Sequence, residues 1–322
     1  MPVPRPNRAL GYGLYLLAAT MFAINGTVAK EIILSGVSPT FLSQLRITAA
    51  FILLALVVAI IRPRLLRLRA RQIPILALYG VLGVAMTQWL YFVAIENIPV
   101  GLALILEFTA PLFVALWFRF GYREPTRNTV WLGLAMALVG LMLVAQIWQG
   151  FSLNPIGALA GIGAACALTV YYILGDSQLR KPNPLEPVAL TLWGFAAGAV
   201  FWAIVRPWWL FPWGAFAEST QPVDSSSLSV PVWGLAIWMV VLGTIVPFWL
   251  VLVSLRHIRA SQASAIGMTE PLIASVIAWA ALGEVLNAVQ IIGGLVVLGG
   301  VLLAERSRIV AEPPTTEAMP GG

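Results

Sequence analysis

Cysteine, histidine and lysine are almost absent from this chain of 322 residues. It contains one cysteine, Cys166, one histidine, His257, and two lysines, Lys30 and Lys181. A single cysteine excludes an intrachain disulfide, and a lone histidine leaves no ligand spacing typical of a zinc site. Neither lysine lies in the Gly-Lys-Ser/Thr sequence of a phosphate-binding loop. We therefore expect no metal centre, no bound cofactor and no hydrolysis of ATP by such a loop.

Charged residues are also scarce, whereas long apolar runs are frequent. Charged residues make up 10% of the chain and hydrophobic residues 60%, and the mean hydropathy is +0.91. These values lie outside the range of soluble globular domains. Ten apolar runs come close to the length of about 20 residues that a helix needs to cross a bilayer. They predict an all-α integral membrane protein with ten transmembrane helices: Leu10–Leu34, Thr40–Ile61, Ile73–Ile95, Val100–Phe120, Val130–Ile147, Pro155–Gly175, Pro187–Val205, Val232–Leu255, Ala260–Leu282 and Val289–Ala304.

The chain contains an internal repeat. Residues 81–144 recur as residues 241–304 without a gap, and 16 of the 64 aligned positions are identical. The identical pairs include Pro111 with Pro271, which apolar composition alone does not explain. A duplicated hydrophobic unit is typical of transporters built from two halves around a central site. Because each half has an odd number of spans, the second half should be inverted relative to the first.

The repeat and the charge pattern together predict the topology. We expect residues 1–150 to form the first five-helix repeat, residues 151–304 the inverted second repeat, and residues 305–322 a disordered cytoplasmic tail. Of the 19 lysines and arginines, 16 fall at the end that carries the N-terminus, whereas Lys30 and Arg206 lie at the other end and Arg46 lies within a span. The positive-inside rule then places both termini in the cytoplasm. The net charge of +6 needs no nucleic-acid partner, because these residues can lie beside anionic lipid headgroups.

Three charged residues lie in the interior of predicted spans, more than five residues from either end: Arg46, Glu107 and Glu270. Such residues are costly in a bilayer and usually mark a transport pathway. The repeat aligns Glu270 with Ala110, one helical turn from Glu107, so both acids should occupy the same face of equivalent helices. We interpret them as lining a cavity, where either could carry a coupling proton or pair with Arg46. They could instead be hydrogen-bonded packing residues, and Arg46 could also extend outward or bind a substrate carboxylate.

Pro111 and Pro271 lie next to these acids. Each proline lacks the N–H that would bond the carbonyl four residues earlier, which is that of Glu107 or Gly267. A freed carbonyl in hydrocarbon needs water, protein or ligand as a partner. We therefore expect both helices to face one cavity and both prolines to act as hinges.

Several aromatic and amide side chains lie deep in the predicted spans. Aromatic faces combined with a few polar groups suit an amphipathic solute with a flat ring or a soft cation, although each ring could equally serve helix packing. Together with the two acids they form our predicted substrate site: Asn25, Tyr79, Gln88, Trp89, Tyr91, Glu107, Trp238 and Glu270.

The order and spacing of these motifs resemble the EamA-type transporters of the drug/metabolite transporter superfamily. The first-half pattern comprises Pro39, Arg46, residues 89–95 (WLYFVAI), Pro111, Glu124, Gly133 and Gly140, and the second half repeats it with Pro187, Leu255, Ala260, Glu270, Pro271, Gly283, Glu284, Gly293 and Gly300. The second half departs from this pattern at Gly194, which takes the place of Arg46 when Pro187 is aligned with Pro39. The resemblance implies an inverted-repeat fold in which spans one to four and six to nine surround a central cavity.

Within that superfamily the chain most resembles the inner-membrane exporters of aromatic amino acids. The resemblance implies export of aromatic and other neutral amino acids, and of amphipathic toxic cations, across a bacterial inner membrane without ATP. We expect alternating access from the repeat and its proline kinks. We expect a monomer because the Gly-x-x-x-Gly motifs at residues 157–161 and 194–198 suit helix contacts within the chain. A proton-coupled exporter of nucleosides, purines or cationic drugs remains an alternative, as does a nucleotide-sugar carrier. An intramembrane enzyme is disfavoured because the spans contain no recognisable catalytic pair.

Overall fold

The computed structural model describes residues 7–98, 100–147, 154–216, 219–220, 230–282 and 287–309. Most of these residues are helical. The α-helices are α1 (Arg8–Leu34), α2 (Pro39–Ile61), α3 (Ile73–Leu78), α4 (Met86–Asn97), α5 (Val100–Glu107), α6 (Ala110–Leu116), α7 (Asn128–Val144), α8 (Pro155–Leu179), α9 (Pro187–Val205), α10 (Val232–Val240), α11 (Val246–Ser254), α12 (Ala260–Gly267), α13 (Glu270–Leu282) and α14 (Ala288–Ile309). One two-residue antiparallel pair, β1 (Ser219–Thr220) with β2 (Val230–Pro231), lies in the loop before α10.

The predicted all-α membrane fold is confirmed. In the described part of the chain, eight helical stretches are long and apolar enough to cross a bilayer, and Asn128–Val144 is a shorter apolar helix. Local sequence explains where several of them begin. The side chains of Asn7, Ser38 and Asn154 accept hydrogen bonds from backbone N–H groups in the first turns of α1, α2 and α8. Proline occupies the first turn of α2, α8 and α9, where its missing N–H has no helical partner to lose.

The last helix extends beyond its predicted end. We expected a tail from residue 305, but α14 continues to Ile309, and residues 310–322 lie outside the described part of the structure. Glu305 explains the difference, because its buried carboxylate accepts hydrogen bonds from Tyr12 and Gln262 and so has polar partners inside the bundle. A charged residue that follows an apolar run therefore does not mark the end of this helix.

Two of the predicted spans are interrupted at equivalent positions. Residues 108–109 separate α5 from α6, and residues 268–269 separate α12 from α13, with Pro111 and Pro271 following each break. The hydroxyls of Thr109 and Thr269 donate to the carbonyls of Leu106 and Ile266 at 2.6 and 2.7 Å. The backbone therefore changes direction in the same way in both halves.

Two other spans contain π-helical turns at equivalent positions. Residues Tyr79–Ala85 connect α3 to α4, and residues Val241–Ile245 connect α10 to α11. A third π-helical turn, Trp117–Gly121, follows α6. Such turns occur frequently at functional sites, because the wider turn leaves backbone groups available to other partners.

Glycines allow the final helices of the two halves to pack closely. A Cβ atom added to Gly133 would lie 2.6 Å from the Gly300 carbonyl oxygen, and one added to Gly140 would lie 2.7 Å from that of Gly293. Gly133 aligns with Gly293 and Gly140 with Gly300, so the two contacts are equivalent under exchange of the halves. This symmetry of the α7–α14 crossing supports the predicted inverted repeat.

Candidate functional site

A cavity of about 110 Å³ lies between the two halves of the bundle. Helices α1, α2, α4 and α5 line it from the first half, and α8, α11 and α13 from the second. Its polar lining residues are Asn25, Arg46, Thr87, Gln88, Glu107 and Glu270, and its aromatic ones are Tyr15, Phe22, Tyr91, Phe92, Phe108, Tyr172 and Phe248. The volume is enough for several water molecules in this conformation. The site therefore has the composition of a pocket for a small polar solute with an apolar or aromatic part.

The two carboxylates lie at the helix breaks. Glu107 is the last residue of α5 and Glu270 is the first residue of α13. Among the described residues, neither side chain has a hydrogen-bond or ion-pair partner, although both interact electrostatically with Arg46. The structure thus brings three predicted site residues into one cavity and leaves both acids open to a solute or to water.

Arg46 is held by the π-helical turn after α10. Its Nε donates to the Thr244 hydroxyl and its Nη2 donates to the Gly243 carbonyl, and no carboxylate in the described part of the chain lies within 4.0 Å. Pro247 explains this carbonyl's availability, because it lacks the N–H that would bond Gly243 in a regular α-helix. Of the alternatives open from sequence, the structure shows an arginine committed to the opposite half rather than paired with Glu107.

Two buried amides face the same cavity. Gln88 is 6% exposed, and among the described residues neither its Nε2 nor its Oε1 has a hydrogen-bond partner. Asn25 is 5% exposed, and its Oδ1 likewise has no partner in the described chain. Because an unpaired buried polar atom costs about 1–3 kcal/mol, these atoms are suited to bind a solute or water.

Three predicted site residues do not line this cavity. The Tyr79 ring stacks on Tyr171 with their centroids 5.5 Å apart, inside the core. The Trp89 indole donates to the Thr40 hydroxyl at 3.3 Å and packs edge-on against another indole. Trp238 packs against a separate apolar cluster that includes Ile32. These rings were selected for their depth along the predicted spans, and depth does not determine which face of a helix a side chain occupies.

Several residues that line the cavity were not predicted from the sequence. Tyr15, Phe22, Tyr172 and Phe248 line the cavity, and the hydroxyls of Tyr15 and Tyr172 bond one another. A signal for Tyr172 was available, because aligning α1 and α8 at their capping asparagines places it opposite Asn25. Tyr15 has no such repeat signal, since aromatic residues are common throughout the spans.

Polar contacts link the halves at the inner end, which we define as the end where α1 begins. The guanidinium of Arg259 donates to both carboxylate oxygens of Glu124 at 2.8 and 3.1 Å. The backbone N–H of Asn7 donates to Nδ1 of His257 at 3.2 Å. Partial burial and the neighbouring Arg256 lower the pKa of His257 below its usual value, which favours the neutral ring that can accept this bond.

The C-terminal end of α8 adds another ion pair at the inner end. Asp176 receives a 2.7 Å bond from Arg180, whose Nη2 also donates to the Ile258 carbonyl at 3.1 Å. Asp176 follows the predicted end of its span, and its ion pair was not predicted. The spacing of four residues to Arg180 is nevertheless typical of a helical ion pair. Glu284, which the repeat aligns with Glu124, lies outside the described residues.

The fold and the sequence match known transporters. A family model described as the EamA-like transporter family matches residues 9–146 and 155–305. A solved crystal structure of another protein superposes with a TM-score of 0.73 over 95% of this chain and 100% of that chain. The sequence identity of that pair is 17%, so this likeness concerns the fold alone.

Curated relatives cover most of the chain. The threonine/homoserine exporter RhtA of Salmonella typhimurium is 28% identical over 87% of this chain and 86% of its own. The uncharacterized transporter YdfC of Bacillus subtilis is 28% identical over 83% of this chain and 82% of its own. A probable terminal-alkyne amino-acid exporter of Streptantibioticus cattleyicolor is 28% identical over 85% of this chain and 86% of its own.

These matches confirm the resemblance found in the sequence. The family model covers both halves, and the relatives are transporters rather than enzymes. The apolar helices and the cavity between the halves agree with that class. The chain is an integral, multi-pass membrane transporter, and it belongs to the EamA-like transporter family.

Proposed function

We propose that this transporter exports neutral amino acids, aromatic ones included, across a bacterial inner membrane through the cavity between its halves. The observation that carries the proposal is the presence of two unpaired carboxylates, one guanidinium and several aromatic rings in one cavity. Two of the relatives described above are named as amino-acid exporters, which supports the same substrate class.

The cavity offers partners for both charged ends of an amino acid. A zwitterion that leaves water must replace the hydration of its ammonium and its carboxylate. Glu107 and Glu270 can receive the ammonium. Nη1 of Arg46 has no acceptor among the described residues, so it can donate to the carboxylate while Nε and Nη2 stay on the opposite half.

The remaining wall of the cavity suits an apolar or aromatic side chain. Tyr91, Phe92 and Phe108 contribute rings from the first half, and Phe248 contributes one from the second. Offset or edge-on contacts between a substrate ring and these residues would add about 0.5–1.5 kcal/mol per pair. Such contacts tolerate different ring substituents, so we expect weak selection among aromatic solutes.

A specific observation also favours organic cations as a second substrate class. Because Arg46 is already bound to Gly243 and Thr244, the two acids and the aromatic rings can together stabilise a positive charge. A cation needs only these groups, whereas an amino acid also needs a partner for its carboxylate. Parallel transport assays with the two solute types therefore distinguish the proposals.

We further propose that transport occurs by alternating access, with the two halves tilting against each other. The breaks before Pro111 and Pro271 occupy equivalent places in the halves and both adjoin the cavity. Bending at these points would move the carboxylates of Glu107 and Glu270 together with the helices that carry them.

The test is counterflow in proteoliposomes made with the purified protein. Vesicles loaded with unlabelled solute should accumulate labelled phenylalanine, threonine or methionine, and a bis-pyridinium dication should be assayed in parallel. Uptake of the dication with no amino-acid counterflow would replace the first proposal by the second. Absence of counterflow for every solute, in protein that is folded and inserted, would overturn both.

The same assay with and without a pH gradient tests the two acids. If Glu107 or Glu270 carries a coupling proton, Glu107→Gln or Glu270→Gln should flatten the pH dependence of transport, because an amide cannot exchange a proton in this range. Thr169→Val is a suitable control, since Thr169 is buried but does not line the cavity. Unchanged pH profiles in both glutamine variants would reject a proton role and leave downhill transport.

A further inference from the structure

The structure assigns to Gln88 a role in substrate selection: we propose that its amide recognises a side-chain group that both donates and accepts hydrogen bonds, foremost a hydroxyl. The inference rests on the proposed function, since it concerns the side chain of an amino acid held in the same cavity. It makes hydroxyl-bearing amino acids better substrates than apolar ones of the same shape.

Gln88 differs from the other buried glutamines in the described chain. Gln44 donates to the Arg206 carbonyl at 2.8 Å. Gln178 donates to one side chain and accepts from Lys181 at 2.8 Å. Gln262 uses both ends of its amide. Its Nε2 donates to the Tyr12 hydroxyl and the Glu305 carboxylate, and its Oε1 accepts from the backbone N–H of Arg259. Gln88 alone among these four lacks a described partner at either end.

The position of Gln88 makes a solute the natural partner. It lies on α4 one turn before Tyr91 and Phe92, and all three residues line the cavity. The Thr87 hydroxyl donates to the Gly83 carbonyl at 2.8 Å, so only its lone pairs remain available. Asn25 adds an unpartnered oxygen from α1. Gln88, Thr87 and Asn25 therefore add neutral polar atoms to a cavity whose charged groups are Glu107, Glu270 and Arg46.

The chemistry of an amide determines which substrate group fits it. An ammonium can pair only with the amide oxygen and a carboxylate only with the amide nitrogen. A hydroxyl donates and accepts through one atom and can satisfy either end of the amide while an adjacent water satisfies the other. An aliphatic side chain would displace that water and leave both ends of a buried amide without partners. A site built in this way disfavours the analogue that lacks the hydroxyl.

Threonine and valine are the matched pair for the test, because they have nearly the same shape and differ by a hydroxyl in place of a methyl group. Counterflow rates should be measured at concentrations well below saturation. We expect the wild-type protein to carry threonine about 5- to 100-fold faster than valine, which corresponds to one unpaired buried group. In Gln88→Leu the ratio should fall close to one, with valine carried at least as well as before.

Gln44→Leu is the matched control. Gln44 is equally buried but does not line the cavity, so its loss should leave the threonine-to-valine ratio unchanged. A wild-type ratio near one would overturn the inference whether or not the variant folds, and so would an unchanged ratio in an active Gln88→Leu. If the folded wild-type protein carries phenylalanine but neither threonine nor valine, the inference fails; if it carries no amino acid, the proposed function fails instead.

Discussion

At the scale of single residues, Arg46 shows how one missing hydrogen bond determines the place of a buried charge. Pro247 lacks the N–H that would bond the Gly243 carbonyl in a regular α-helix, and the Arg46 side chain from the other half donates to that carbonyl. The aligned residue of the second half is Gly194, whose surroundings are the ring of Tyr79 and the opposite π-helical turn. Arg46 and Gly194 therefore occupy equivalent places against the π-helical turn of the opposite half, and only Arg46 contributes a cation.

We expect Arg46→Gln to destabilise the protein by about 1–3 kcal/mol, because the Gly243 carbonyl would be buried without a partner. Transport of amino acids should also fall, because the cavity loses its cation. Pro247→Ala restores the missing N–H, so the loss of stability from Arg46→Gln should be smaller in the Pro247→Ala background. Thermal unfolding in detergent measures the stability terms of this double-mutant cycle.

Equal losses of stability in both backgrounds would contradict this role of Pro247. In that case the arginine would act through its charge or through Thr244 rather than through the freed carbonyl. Transport measured on the same four proteins separates the two effects, since restoring the carbonyl's partner does not restore the cation.

At the scale of helices, sequence predicted the breaks well and the orientation of side chains less well. Proline acts on the backbone within one turn, so Pro111 and Pro271 locate the interruptions directly. Gln88 and Trp89 are adjacent in sequence, yet one lines the cavity and the other packs against α2, because each step along a helix turns by about 100°. An all-apolar span provides no polar face to determine that rotation.

The π-helical turns were not predicted for a related reason. They depend on packing between helices, as at Gly83, where an added Cβ atom would lie 2.9 Å from the backbone of Tyr171. Its repeat equivalent, Gly243, packs instead against the side chain of Asn25 of α1. Such tertiary contacts leave only the paired glycines as a sequence signal, and glycine has many other uses.

The helix breaks lead to a prediction about motion. Pro111→Ala or Pro271→Ala restores a backbone hydrogen bond across the break and should stiffen the span, so we expect slower counterflow with little loss of stability. Pro39→Ala is the control, because Pro39 lies in the first turn of α2 and removes no helical bond. Full transport rates in both hinge variants would show that the breaks serve packing alone.

At the scale of the whole molecule, an exporter must admit its substrate from the cytoplasm. The inner end, predicted to be cytoplasmic, carries the bidentate contact between Arg259 of the second half and Glu124 of the first. The Phe118 ring lies beneath the same guanidinium, 5.6 Å from it. Beyond them, the bonded hydroxyls of Tyr15 and Tyr172 form the floor of the cavity. In the alternating-access mechanism proposed above, these contacts would separate before a solute enters from that side.

We therefore expect Glu124→Gln to shift the protein toward an open inner end. Both partners of this ion pair are more than one-third exposed, so its loss should change overall stability by no more than about 1 kcal/mol. A change of that size still alters the ratio of two conformations about fivefold. The readout is Ser264→Cys in a Cys166→Ala background, because Ser264 is buried in α12 near the inner end. An impermeant maleimide applied to inside-out vesicles should label this cysteine faster in Glu124→Gln.

The charge-reversed pair Glu124→Arg with Arg259→Glu decides whether the ion pair itself holds the inner end closed. Reversal keeps the attraction between the halves while changing both side chains, so labelling should return toward the rate of the unaltered pair. Each reversal alone places like charges together and should label fastest, since repulsion then adds to the lost attraction. Equally slow labelling in all variants would show that the ion pair between Arg259 and Glu124 has no role in opening the inner end. Labelling from the opposite face of the membrane would overturn the predicted orientation.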